Sequence, residues 1–110
     1  MGDAAASQIS EAMNRLWQKF LPQMEERVAA LEMAAAKLSS EAAISKEQQS
    51  SAAAEAHKLA GVLGTFGLKE GTDLAREAEG MLENQLDGAA SGARLTEIAE
   101  RLKGMIASRV

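Results

Sequence analysis

Apolar residues recur at three- and four-residue steps along most of this chain, the spacing that lines one face of an α-helix. Met13, Leu16, Trp17, Phe20, Met24, Val28, Leu31 and Ala35 form the first series, within a segment from about Ile9 to Leu38. Pro22 interrupts it. Proline lacks the backbone N–H and its ring clashes with the preceding turn. The pattern therefore predicts a helix to about Phe20, a kink or short break, and a helix that carries Pro22 in its first turn. The stretch Ser39-Ser40-Glu41-Ala42-Ala43-Ile44 reads as a connection.

Ser45-Lys46-Glu47-Gln48 has capping-box spacing, with Ser45 as N-cap and Gln48 reaching back. The helix it opens is predicted to run to about Phe66. Ala52, Ala56, Leu59, Leu63 and Phe66 share one stripe of it, which must face a core. Gly67 fits a left-handed helix stop, and Leu68 its apolar follow-up. A third helix is expected from about Lys69 to Gln85, with Ala75, Ala78, Met81 and Leu82 inward and Leu74 at the margin. Asp87-Gly88-Ala89-Ala90-Ser91-Gly92 reads as a turn. The last helix carries Leu95, Ile98, Ala99, Leu102, Met105 and Ile106 on one face. Short loops between the later helices favour antiparallel neighbours. The prediction is an all-α fold: an antiparallel up-down-up-down four-helix bundle with an N-terminal helical extension kinked near Pro22. A single domain should span residues 1–110, with a short disordered N-terminus over about 1–6.

Composition sharpens this picture. Hydrophobic residues make up 46% of the chain but aromatic residues only 3%, so the core must be built from aliphatic side chains and alanine. The net charge is −4. Residues 68–88 hold six acids against two bases, and residues 89–110 four bases against two acids. No basic stripe or aromatic platform exists, which argues against nucleic acid as a partner. No apolar run approaches the roughly 18 residues of a membrane span. Met1-Gly2-Asp3 leads into small and polar residues, not into a secretory signal. Ala6 breaks the myristoylation pattern that Met1-Gly2 would open. With no cysteine there is no disulfide or thiolate chemistry. A cytoplasmic monomer is expected.

The chain has one histidine, His57. It lies on a stripe with Gly61 and Gly64, roughly 140° from the apolar stripe of the same helix. His57 is therefore expected to face solvent beside bare backbone that a second protein could approach. Imidazole is partly neutral near pH 7, so one of its nitrogens can act as a nucleophile without a separate base. One histidine and no cysteine leave only carboxylates to complete a zinc site, so no metal site is expected. No phosphate-binding Gly-x-x-x-x-Gly-Lys loop or other nucleotide element is present, which excludes an autonomous kinase.

The run His57-Lys58-Leu59-Ala60-Gly61, followed by Gly64-Thr65-Phe66-Gly67-Leu68, resembles the signature of histidine phosphotransfer (HPt) domains. The likeness continues through Leu74-Ala75-Arg76-Glu77-Ala78-Glu79, and weakly back to Leu16-Trp17-Gln18-Lys19-Phe20-Leu21-Pro22. The resemblance implies a carrier that accepts a phosphoryl group on His57 from a receiver-domain aspartate and passes it to another receiver. It implies no cofactor of the chain's own; Mg²⁺ and the aspartate would belong to the receiver. HPt domains often carry a Glu or Gln 22 positions after the histidine to orient the imidazole, and that position is Glu79 here. The alternative for Glu79 is a solvated acidic face. Many HPt domains also carry a lysine three residues after the histidine, but this chain has Ala60. Lys58 is the nearest cation in sequence, either as a phosphate contact or as an ordinary solvated residue. The docking face is expected to comprise Ala53, Ala54, Ala60, Gly61 and Gly64. A different class of function is also open: a helical adaptor that binds receiver or kinase domains without carrying phosphate.

Overall fold

The computed structural model describes residues 2–40, 44–84, 86 and 88–109, with side chains from Ser7 onward. Four helices account for nearly all of them: α1 (Gly2–Ser39), α2 (Lys46–Thr65), α3 (Lys69–Glu83) and α4 (Gly88–Ser108). There is no strand among the described residues. None of the described helices is long and apolar enough to cross a membrane.

The helices form a four-membered ring in which α1 touches α2 and α4, and α3 touches the same two. Contacts between α2 and α3, between α3 and α4, and between α4 and α1 run in opposite senses. Gln49 of α2 reaches the carbonyls of Leu82 and Asn84, while Gly64 lies beside Thr72. Arg94 of α4 meets Glu77 of α3, and Arg101 meets Glu70. Gly92 abuts Leu38 and Ser39 of α1, while Lys103 approaches Glu32. The guanidinium of Arg94 spans both carboxylate oxygens of Glu77 at 2.5 and 2.7 Å. Those hydrogen bonds hold the Glu77 carboxyl below its ordinary range.

The core follows the predicted stripes. Trp17, Met24, Val28, Leu31 and Ala35 of α1 are buried, as are Ala52, Ala56, Leu59 and Leu63 of α2. From α3 come Leu74, Ala75, Ala78 and Leu82, and from α4 Leu95, Ile98, Ala99, Leu102 and Ile106. Phe66 meets Trp17 edge to face at 5.1 Å between ring centroids, and the Arg109 guanidinium lies 4.6 Å above the Trp17 ring. Together these close one end of the bundle. Leu16, counted with the apolar series, is 42% exposed.

Both predicted terminators of α2 are present. The Ser45 side chain accepts from the Gln48 N–H at 3.0 Å, and the Gln48 side chain accepts from the Ser45 N–H at 3.1 Å. At the other end Gly67 has φ +72°, the left-handed conformation that suits glycine. The Gly67 N–H donates to the Gly64 carbonyl and the Leu68 N–H to the Leu63 carbonyl, the paired bonds of a Schellman stop.

Three expectations are corrected. The chain does not break at Pro22; α1 is one helix of 38 residues with Pro22 inside it. Pro22 lies on the exposed side, where water can take the carbonyl that its missing N–H leaves free. Met24, Val28 and Leu31 beyond it pack into the same core as Trp17, and that shared burial carries the helix through. At about 1.5 Å per residue α1 is roughly 57 Å long, close to the 58 Å long dimension of the whole molecule. Residues 2–6, expected to be unstructured, continue α1, consistent with the helix propensity of Ala4-Ala5-Ala6; Met1 lies outside the described residues. The segment expected as a turn over Asp87–Gly92 is instead helical from Gly88, with Gly88 itself at φ +29°. Asp87 and Gln85, the expected end of the third helix, lie outside the described residues.

Gly92 fits the start of α4 against the end of α1. It is buried, and an added Cβ would sit 2.5 Å from Ser39 Oγ and 2.8 Å from the Ser39 backbone nitrogen. The glycine permits contact between two helix ends. Gly104 of the same helix has open space where its Cβ would be. Gly92→Ala should therefore destabilise the fold by about 1–3 kcal/mol, whereas Gly104→Ala should stabilise it by up to about 1 kcal/mol. Urea denaturation of the two variants checks both signs.

Candidate functional site

The three-residue connection Phe66–Leu68 folds α3 back along α2, and small residues let the two helices lie close. Ala53, Ala56 and Ala60 of α2 are buried, as are Ala75 and Ala78 of α3. Beside this seam runs an open groove of about 410 Å³. His57, Ala60 and Gly61 form its α2 wall; Arg76, Glu79, Gly80 and Glu83 form its α3 wall.

The imidazole stands out of the groove, with its side chain 74% exposed. Its Nδ1 lies 2.9 Å from Oε2 of Glu79, whose side chain is 21% exposed. A carboxylate only accepts, so in the neutral imidazole Nδ1–H is the donor and Nε2 carries the lone pair. No hydrogen bond engages Nε2 among the described residues. The result is a largely exposed imidazole whose Nε2 lone pair is left free, on a ring held from the next helix.

The other sequence-predicted residues divide. Gly61 and Gly64 are exposed, and Gly61 has nothing within 4 Å of where a Cβ would stand. Ala54 is exposed too. Ala53 and Ala60 are not free docking surface: they are 7% and 5% exposed. They belong to the stripe Gln49, Ala53, Ala56 and Ala60 that α3 covers, so Ala60 serves as groove floor. The structure does not bring Lys58 to the imidazole. Its Nζ lies 3.9 Å from Glu55 Oε1, and the other Glu55 oxygen is 3.5 Å from Arg27 Nε on α1. Lys58 thus leans to the α1 side of α2, opposite the groove.

Arg76 is the cation that does reach the groove, and the sequence reasoning passed over it. The available signal was its place three residues before Glu79, which puts both on one face of α3. Among the described residues no group of three or more His, Cys, Asp or Glu side chains could hold a metal ion.

An all-helical domain that displays one oriented imidazole on an open two-helix face has the build of a group carrier. The profile of the Hpt domain family matches residues 15–108. The chain belongs to the Hpt domain family. Domains of this family are phosphocarrier modules of phosphorelays and interact with receiver domains. No match is found among curated proteins or among solved structures.

The Nδ1–Glu79 contact makes a measurable claim about the ring. Glu79→Ala should shift the His57 ¹⁵N resonances away from the Nδ1–H tautomer and slow phosphotransfer, with helicity by circular dichroism little changed. Glu79→Gln should be milder, because its amide oxygen still accepts. Parental tautomer and rate in Glu79→Ala would return this residue to the solvated acidic face.

Proposed function

We propose that His57 accepts a phosphoryl group from a receiver-domain aspartate and passes it on to the aspartate of another receiver. The observation that carries this reading is the exposed imidazole with Nδ1 tied to Glu79 at 2.9 Å. Nε2 attacks phosphorus; the N–P bond forms as the bond from phosphorus to the aspartate oxygen breaks, and the electron pair leaves with that carboxylate. The proton on Nδ1 stays in place. The ring gains positive charge as Nε2 takes phosphorus, and the Glu79 carboxylate faces that charge. The second transfer is the same step in reverse. The aspartate and its Mg²⁺ belong to the receiver, which supplies the electrostatic stabilisation of the transferring group.

Gly61 supports docking in this reading. It lies one turn beyond His57, with open space outside it. A receiver must close over the imidazole until phosphorus and Nε2 are in line, and misplacement by about 1 Å can slow transfer on the order of 100-fold.

The test is incubation with a phosphorylated receiver followed by intact mass. A gain of one acid-labile phosphoryl group, absent in His57→Gln, is the expected result. Receivers that bind without transferring would identify the chain as an adaptor instead. Gly61→Leu separates docking from folding: it should raise helix stability by up to about 1 kcal/mol while impairing receiver binding and transfer. A Gly61→Leu protein that melts lower yet transfers normally would show that receivers dock elsewhere.

A further inference from the structure

Phosphoryl transfer to His57 brings roughly two negative charges to a groove already lined by two carboxylates, Glu79 and Glu83. The same groove has one basic side chain, Arg76. Arg76 is exposed and makes no hydrogen bond or ion pair among the described residues. Three other arginines are committed elsewhere: Arg27 to Glu55, Arg94 to Glu77 and Glu97, and Arg101 to Glu70. Arg109 covers Trp17 and Phe66. Glu79, one turn on from Arg76 along α3, is already held by the imidazole, and Glu77, the next residue, is held by Arg94.

Register places Arg76 near the reacting group. α2 and α3 run in opposite directions, with His57 facing Glu79. Three residues on from His57 is Ala60, and three residues back from Glu79 is Arg76, so these two face each other across the groove. Ala60 is small, which leaves the space over it to a long side chain from α3. A guanidinium there presents a fork of N–H donors matched to phosphoryl oxygens. We propose that Arg76 contacts the phosphoryl group carried by Nε2 of His57, delivering from α3 the positive charge that α2 lacks at position 60.

This assignment rests on the carrier reading of His57, and its test separates the two. Single-turnover transfer from a phosphorylated receiver is measured at saturating receiver for the parental chain and for Arg76→Gln, Arg76→Lys and the double variant Ala60→Lys/Arg76→Gln. Affinity for the unphosphorylated receiver and thermal unfolding are measured on the same preparations. Arg76→Gln should transfer at least about tenfold more slowly at saturation, the scale of a charge-assisted hydrogen bond lost from the transition state. Its receiver affinity and melting temperature should be nearly parental. Arg76→Lys should retain part of the rate, and Ala60→Lys should restore part of it to Arg76→Gln by returning a cation to the same groove from the opposite wall. A parental saturating rate in Arg76→Gln overturns the assignment while leaving His57 as the acceptor. So does weakened receiver binding with the saturating rate unchanged, which would make Arg76 a docking residue. If the parental chain takes up no phosphoryl group, the carrier reading has failed, and the role of Arg76 with it.

Discussion

The register between α2 and α3 is the constraint on which the site depends. Two helices joined by three residues could meet in several rotational settings, each residue of slip turning a helix by about 100°. Here the left-handed Gly67 and the two bonds from Gly67 and Leu68 back to Gly64 and Leu63 end α2 at a defined residue. The alanine seam then sets the distance. Ala53, Ala56 and Ala60 against Ala75 and Ala78 present little more than methyl groups, so the helices can approach near the lower end of the usual 8–10 Å spacing. A glutamate side chain from one helix can then reach the imidazole of the other at 2.9 Å. A slip of one residue would carry Glu79 off this face and leave His57 without its partner.

Most of the helical layout was legible because burial follows a period that a sequence displays directly. The stripes around Trp17, Leu59, Ala78 and Leu102 could be read from spacing alone, and Ser45, Gln48 and Gly67 announced the ends of α2. What could not be read was decided by contacts between distant segments. Pro22 is a breaker by local rules, but the core on both sides of it is one surface. Gly88 to Gly92 has turn composition, yet Gly92 fits against Ser39 where no side chain could. Ala53 and Ala60 sat near the histidine in sequence and on its edge of the helix. Whether that edge faced water or α3 depended on where the third helix lay.

The site divides in the same way. His57 and Glu79 were legible through the family resemblance, and the structure supplies the contact between them. Proximity along α2 favoured Lys58 as the cation near the imidazole, whereas the groove is formed by two helices and the basic side chain that lines it is Arg76. Lys58 projects about 100° around α2 from His57, toward Glu55 and Arg27. Arg76 is far from the histidine in sequence but lies on the same helix face as Glu79. Counting from the residue opposite the histidine, rather than from the histidine itself, would have found it.

A carrier domain faces a demand that an enclosed enzyme site does not. On the proposed carrier reading the imidazole must be reached by more than one partner, so burial cannot hold it in place; the side chain is 74% exposed. Orientation has to come from a single hydrogen bond rooted in a neighbouring helix, and that helix must itself be fixed. This explains why the open face lies over a well-anchored pair. α3 is tied to α2 by Gln49, and to α4 by Arg94 and Arg101. The bundle behind the groove limits motion of Glu79, and Glu79 limits motion of His57. Precision at an exposed atom is thus obtained from the core two layers away, while the face itself stays bare enough, at Gly61 and Gly64, for another protein to close upon it.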